Sequence, residues 1–343
     1  MLARSADRSI RRPDNEPSPD NLPMLKHIFA SVILTLSTAA AVAVPFGSQS
    51  VLVIEDGTGK VLLEKNSNAV APIASLTKLM TAMVVLDAKQ DMTEMIAIDQ
   101  RDVDILKHST SRVPVGARIS RGDVLQLALM SSDNRAAASL GRTYPGGVVA
   151  FKSAVRAKVA ALGMTQTVIE EPTGLSPNNR STATDLVKMA TAASAYPEIA
   201  RITTESSEMI NINGRGVQYR NTNRLVGAKG WEIGLSKTGY TEEAGRCLIM
   251  KIKAAGRNAT LVLLNAKASS ARIVDAMSIR RFMTGDVAPT LVAHKRPARR
   301  ATLLASARSR TPIATAARAP MIKASLRTRV KAKHVIKPRH RRA

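Results

Sequence analysis

The chain has 343 residues, 45% of them hydrophobic but only 3% aromatic, so a sizeable core is possible and must rest on aliphatic side chains and methionine. Its formal charge is +25, from 51 Lys and Arg against 26 Asp and Glu. One cysteine excludes an intramolecular disulfide, and five scattered histidines give no metal-ligand spacing, so neither a disulfide scaffold nor a zinc peptidase is expected, and no cofactor.

Residues 1–23 are polar, with Arg11-Arg12-Pro13 and Pro17-Ser18-Pro19, and are expected to be a disordered extension, Met24 being the expected true start. From there the pattern changes to Leu25-Lys26-His27 and an apolar run from Ile28 to about Val44, with small residues at Ala41-Val42-Ala43. Residues 24–43 therefore read as a secretory signal peptide, an uncleaved membrane anchor being the alternative. Export puts the protein in a periplasm, either free or membrane-associated, where nucleic acid is not an expected partner.

Ser50–Glu55 and Lys60–Glu64 are short apolar runs around Asp56-Gly57-Thr58-Gly59, the pattern of a β-hairpin. After Ala71-Pro72 a helical pattern begins near Ser75, with Leu76, Leu79, Met80, Met83, Val84 and Leu86 apolar. Ser75 opens the only Ser-x-x-Lys of the chain, Ser75-Leu76-Thr77-Lys78. Alone it would be an ordinary N-cap serine. Ala-rich helical patterns follow at 122–142, 148–162 and 184–193, the last starting at Thr182-Ala183-Thr184-Asp185, and Ser132-Asp133-Asn134 lies inside the first. Strands are predicted at Leu235–Thr238, which holds the start of Lys237-Thr238-Gly239, then at Cys247–Ala254 and Ala259–Ala266, with a last helix over about Ser270–Met283. Cys247, in an apolar strand-like run, reads as a buried inert thiol. From 286 to 343 the composition becomes Ala, Arg, Lys, Ser and Pro, and residues 289–343 hold sixteen basic residues and no acidic one. That is a disordered basic tail, suited to an anionic membrane or wall surface.

The three motifs, in this order, have a common chemistry. A serine hydroxyl needs a base within hydrogen-bond reach. Residues three apart share a helix face, so Lys78 can present its amine to Ser75, and burial or a neighbouring cation can lower its pKa into the useful range. Lys237 is the candidate second cation and a charge for a substrate carboxylate. Ser132 would relay a proton, and Asn134 would orient Lys78 and the substrate backbone. Gly239 would let substrate approach a strand edge.

Ser-x-x-Lys, Ser-Asp-Asn and Lys-Thr-Gly together are the motif set of class A β-lactamases and penicillin-binding proteins. The chain resembles a penicillin-binding serine peptidase of the D-alanyl-D-alanine carboxypeptidase family over about residues 48–285. Within that family it is most similar to the D-alanyl-D-alanine endopeptidases of the penicillin-binding protein 7 type. The match is carried by Ala74–Thr81, Leu129–Ala137, Tyr144-Pro145-Gly146-Gly147, Glu171–Ser176, Arg220–Asn223 and Leu235–Tyr240.

The resemblance implies an α+β fold of the β-lactamase/transpeptidase type, an antiparallel sheet flanked by helices with an all-helical subdomain. It implies Ser75, Lys78 and Ser132 as catalytic groups and Asn134, Lys237, Thr238 and Gly239 as substrate-binding groups. The backbone N–H groups of Ser75 and Tyr240 would form the oxyanion hole. The implied substrates are peptidoglycan peptides, with β-lactams as covalent inhibitors. Endopeptidase and carboxypeptidase action both stay open. A β-lactamase would need a deacylating Glu-x-x-x-Asn, which neither Glu170 nor Glu171 supplies. A non-catalytic wall-binding protein would not need the intact motif set.

Overall fold

Strands from both ends of the described chain, residues 46–286 of a computed structural model, meet in one antiparallel sheet. β1 (Ser50–Glu55) and β2 (Val61–Lys65) form the expected hairpin. After β3 (Ala71–Pro72), a 3-10 turn over Ala74–Leu76 leads into α1 (Thr77–Asp87). β4 (Met95–Ala97) and β5 (Arg118–Ser120) make a short ladder before α2 (Arg121–Met130), α3 (Asn134–Arg142) and α4 (Gly147–Ala161). β6 (Arg180–Ser181) pairs with β3 and precedes α5 (Ala183–Ala193) and α6 (Pro197–Thr204). The hairpin β7 (Ser207–Ile212) and β8 (Arg215–Arg220) comes next. Last are β9 (Glu232–Thr241), β10 (Gly245–Ala254), β11 (Arg257–Ala266) and α7 (Ser269–Thr284). The sheet order is β2-β1-β11-β10-β9, so the first hairpin docks on the last strand and β9 is left at an edge.

Side-chain alternation along each strand loads both faces of this sheet. Val51, Val53, Leu248, Met250, Leu261 and Leu263 pack with Ala276, Ile279 and Met283 of α7. Leu52, Cys247, Ile249, Val262 and Leu264 face the opposite way, into a larger core with α1, α2, α3 and α5. A strand buried on both faces has no polar face, which is why these stretches read as continuous apolar runs. The α+β arrangement agrees with expectation, and the helical side also carries the short ladders β3–β6, β4–β5 and β7–β8.

Four details depart from the sequence pattern. The helix predicted over 122–142 is two helices, broken at Ser131–Asp133 where Ser132 takes a left-handed φ of 61°. Asp133 then caps α3, accepting from Ala136 N–H. The strand expected at Leu235–Thr238 extends over ten residues, Glu232–Thr241. α1 is buried from Thr77 through Val85, so it is a central helix and not an amphipathic one with a wet face. α6 and β7–β8 were not expected, although Asn213-Gly214 between those strands is a strong hairpin signal. The expectations for residues 1–23, for the signal peptide at 24–43 and, beyond Asp286, for the basic tail lie outside the described residues. No helix among the described residues is long and apolar enough to cross a membrane.

Candidate active site

The three motifs, far apart in sequence, meet where the 3-10 turn, the α2–α3 break and β9 come together. Lys78 Nζ lies 2.8 Å from Ser75 Oγ and donates to Asn134 Oδ1 at 2.7 Å and to the Thr173 carbonyl at 2.7 Å. These three acceptors account for every proton of an ammonium. Asn134 is itself held, its Nδ2 donating to Ser109 Oγ at 2.8 Å. Lys237 Nζ donates to Ser132 Oγ at 2.9 Å and to the Thr238 carbonyl at 3.1 Å. Thr238 Oγ1 donates to Thr222 Oγ1 at 2.7 Å.

Local backbone geometry places these side chains. Ala74, immediately before Ser75, has a φ of 47°, and Ser132 has 61°; neither is glycine. Left-handed conformations in such residues are costly and persist only when the surroundings impose them. Gly174 (φ 85°) imposes one of them: a Cβ there would sit 2.0 Å from the Ala74 carbonyl oxygen and 2.9 Å from Ser75 N. Gly239 closes the other contact, since a Cβ on it would lie 3.1 Å from Ser75 N and from the Ala74 Cβ. The absent side chain at Gly239 was expected to make room for substrate. What fills that space is the turn that carries Ser75, because β9 packs directly on it.

Both lysines are almost wholly buried, at 1% exposure. Burial pulls the Lys78 ammonium from the usual 10.5 down to about 8, against the charges of Glu171, Asp133 and Asp104. Lys237 is held well below the lysine range, first by burial and then by the charges of Lys78 and Arg272. Burial is thus the first cause of the lowered pKa at both lysines, and like charge adds to it at Lys237. Carboxylate charges oppose the downward shift at Lys78, and none does so at Lys237. A substrate carboxylate beside Lys237 would favour its charged form.

Apart from Asn134, the sequence pattern did not single out the support of Lys78. Glu171 Oε2 accepts from Thr173 N–H at 2.7 Å and Thr173 Oγ1 at 2.6 Å, while Oε1 accepts from Gly174 N–H at 2.6 Å and Asn179 Nδ2 at 3.0 Å. This carboxylate folds the turn that presents the Thr173 carbonyl to Lys78 and Gly174 to Ala74. Arg272, from α7, was also missed. It is 7% exposed, donates to the Cys247 carbonyl at 3.0 Å, and its Nε has no partner among the described residues. Nothing local in the sequence marks it, since it reaches the site from the far face of the sheet.

These groups open onto a cleft of about 680 Å³ that touches Ser75, Ser132, Asn134, Thr238, Tyr240 and Arg272. A larger cavity of about 770 Å³, beside Lys152, Val155 and Met164, contains none of these groups. A buried amine near neutrality against a hydroxyl, with a second amine–hydroxyl pair across the cleft, can take a proton at one point and return it at another. Cys247 is completely buried, with its thiol pushed up to about 11 by burial, and takes no part.

Comparison with known proteins gives a consistent result. The family model described as D-alanyl-D-alanine carboxypeptidase matches residues 37–268. A D-alanyl-D-alanine endopeptidase of Pseudomonas aeruginosa is 43% identical over 272 residues, covering 75% of this chain and 88% of that protein. A D-alanyl-D-alanine endopeptidase of Escherichia coli is 41% identical over 262 residues, covering 76% of this chain and 84% of its own. The crystal structure of the Streptomyces K15 DD-transpeptidase superposes with a TM-score of 0.66 at 23% identity, over 71% of this chain and 99% of that one, which shows the shared fold.

Proposed function

This chain belongs to the D-alanyl-D-alanine carboxypeptidase family of serine peptidases, and from that premise we propose that it is a DD-endopeptidase cleaving D-alanyl–diaminopimelyl cross-links in peptidoglycan. The observation that carries the proposal is the Ser75–Lys78–Asn134 contact set, a nucleophile 2.8 Å from a buried amine whose pKa is about 8. The two endopeptidases at 43% and 41% identity favour the cross-link over a terminal D-alanine as substrate.

Ser75 Oγ attacks the D-alanyl carbonyl carbon, and its proton passes to the neutral Lys78 Nζ. The developing oxyanion is taken by the backbone N–H groups of Ser75 and Tyr240. The amide C–N bond then breaks. Ser132, held by Lys237, delivers a proton to the departing amine and recovers one through the Lys78 side. Water hydrolyses the acyl-enzyme by the reverse proton path and regenerates Ser75. The substrate backbone lies along the open edge of β9 as an added strand, with Asn134 and Thr238 as its side-chain contacts. Thr238, Lys237 and Arg272 receive the carboxylate that follows the scissile bond.

A β-lactam acylates Ser75 through the same geometry and leaves slowly. Glu170 and Glu171 both have their carboxylates engaged in their own loop, Glu170 with Asn178 and Glu171 as described, so neither is placed to activate a deacylating water. Residues 48–285 form the catalytic domain in this proposal. Residues 24–43 direct export to the periplasm, and the basic tail after 286 meets an anionic membrane or wall surface.

Incubation of the purified protein with cross-linked muropeptides, followed by mass analysis, tests the proposal. Conversion of dimers to monomers without free alanine is expected. Release of D-alanine with intact dimers would instead make the protein a carboxypeptidase.

A further inference from the structure

The active-site cleft holds more positive charge than a single carboxylate needs. Three guanidinium groups line it, those of Arg224, Arg246 and Arg272, and no Asp or Glu does. None of the three forms a salt bridge among the described residues, and only Arg272 donates a side-chain hydrogen bond there, to the Cys247 carbonyl. Arg272 lies deep, at 7% exposure. The other two sit outward. Arg224 is exposed two residues after Thr222, the partner of Thr238. Arg246 is half-buried and stacks its guanidinium carbon 3.4 Å from the centre of the Tyr240 ring, directly across the β9–β10 register.

That stacking fixes the Arg246 fork while leaving its in-plane donors free, the form in which arginine recognises carboxylates. Tyr240 is in turn 49% exposed, so the pair forms a wall of the cleft and is not part of the core. Like charges gathered without a counter-charge repel one another, and the arrangement is relieved only by solvent or by an anionic ligand. A terminal D-alanine brings one carboxylate, which Thr238, Lys237 and Arg272 already serve. The stem peptide that leaves when a cross-link is cut brings several.

We infer that Arg224 and Arg246 read the further carboxylates of a peptidic leaving group, so that this cleft selects acidic cross-linked stems over a lone terminal D-alanine. The inference rests on the endopeptidase proposal and names the residues that give the site that preference. Arg224 would meet the departing stem beyond Thr238, and Arg246 would meet it along the Tyr240 wall. Both contacts are made to parts of the substrate remote from the reacting carbonyl.

The test compares full-length wild type with Arg224→Gln, Arg246→Gln, the double variant and Arg246→Lys. kcat/KM is measured on a cross-linked muropeptide dimer and on the same dimer with its acceptor-stem carboxylates amidated, except the one next to the scissile bond. The acylation rate with a labelled penicillin is measured alongside. Each Gln variant is expected to lower dimer cleavage roughly tenfold relative to penicillin acylation, the size of a charge-assisted hydrogen bond in a wet cleft. Arg246→Lys should recover only part of the loss, because an ammonium lacks the fork. Amidating the dimer should cost wild type a similar factor and cost the double variant nothing further, a comparison that does not depend on how well any variant folds. Equal cleavage of acidic and amidated dimers by wild type would overturn the inference and leave the endopeptidase proposal standing. Equal loss of dimer cleavage and penicillin acylation in the variants would overturn it as well. Failure of wild type to cut dimers while it removes D-alanine would overturn both.

Discussion

Gly174 and Gly239, 65 residues apart, both press a bare Cα against the Ala74–Ser75 peptide. A Cβ would lie 2.0 Å from the Ala74 carbonyl oxygen at Gly174 and 3.1 Å from Ser75 N at Gly239. The turn that carries the nucleophile is thus held between a loop and an edge strand, and the left-handed φ of Ala74 follows from that confinement. The Gly174 loop also delivers the Thr173 carbonyl to Lys78 at 2.7 Å. One short segment therefore positions Ser75 and Lys78, the proposed nucleophile and base, together.

Gly174→Ala should consequently damage acylation more than stability alone explains. Its φ of 85° makes alanine strained by roughly 1–2 kcal/mol wherever space allows. Here the new methyl must also push the Ala74 carbonyl aside, and a displacement near 1 Å can cost up to about a hundredfold in rate. Gly57 is the control, since its φ is 83° but nothing lies within 4 Å. Gly57→Ala is expected to lower the melting temperature while leaving labelled-penicillin acylation near wild type; Gly174→Ala should lose at least tenfold. Equal acylation by the two folded variants would count against the clamp.

The pH dependence of acylation should be that of Lys78. The hydroxyl proton needs the neutral amine, so the rate should rise with pH through about 8 and then level off. Glu171 is the largest charge holding the Lys78 proton on, so Glu171→Gln should move the midpoint to lower pH, even as weakening of its loop lowers the plateau. Lys237→Ala should reduce acylation and substrate binding, because it removes the donor that holds Ser132 Oγ at 2.9 Å. Lys78→Ala should not acylate at any pH. Stopped-flow acylation between pH 6 and 10 measures all four, and an unchanged midpoint in an active Glu171→Gln variant would count against that carboxylate's hold on the Lys78 proton.

Much of the site could be read from the chain because its chemistry is local. Ser75 and Lys78 are three residues apart at a helix start, and Lys237 through Tyr240 run along one strand, so spacing alone implies geometry. The hairpin β1–β2 and the runs that became β10 and β11 were legible for the same reason. The α2–α3 break was not, because Leu129, Met130, Ala136 and Ala137 keep a helical spacing across it and only the tertiary contacts of Ser132 show why the chain turns. The cationic cleft was not legible either. Arg224, Arg246 and Arg272 come from a loop, a strand and a helix, and no periodicity links them. How burial and nearby charges shift each lysine depends on what surrounds it, and folding alone decides that.

Cys247 offers a check on the core between the sheet and α1. Its side chain is buried, burial raises its pKa to about 11, and its thiol faces the Ala244 carbonyl at 3.4 Å. A thiolate-seeking reagent such as a maleimide at pH 8 should leave the folded protein unmodified and label one site per chain in denaturant. Labelling of the native protein at a rate near that of a free thiol would mean that β10 opens locally on the experimental timescale.

Truncation after Asp286 should separate chemistry from location. α7 ends in a complete cap, with Gly285 at φ 84° and the N–H groups of Gly285 and Asp286 donating to the Phe282 and Arg281 carbonyls, so a cut there leaves every described element closed. No member of the catalytic set lies beyond it, and penicillin acylation should be retained. The segment removed includes residues 289–343, with sixteen Lys and Arg and no Asp or Glu. Attraction of such a segment to an anionic surface is a sum of many weak contacts, and salt screens each of them. Full-length protein should therefore sediment with anionic vesicles or wall sacculi at low salt and release as salt rises, while the truncated form binds weakly throughout. Equal, salt-insensitive binding by both forms would remove the tail as the anchor and shift that role to the apolar segment near the N-terminus.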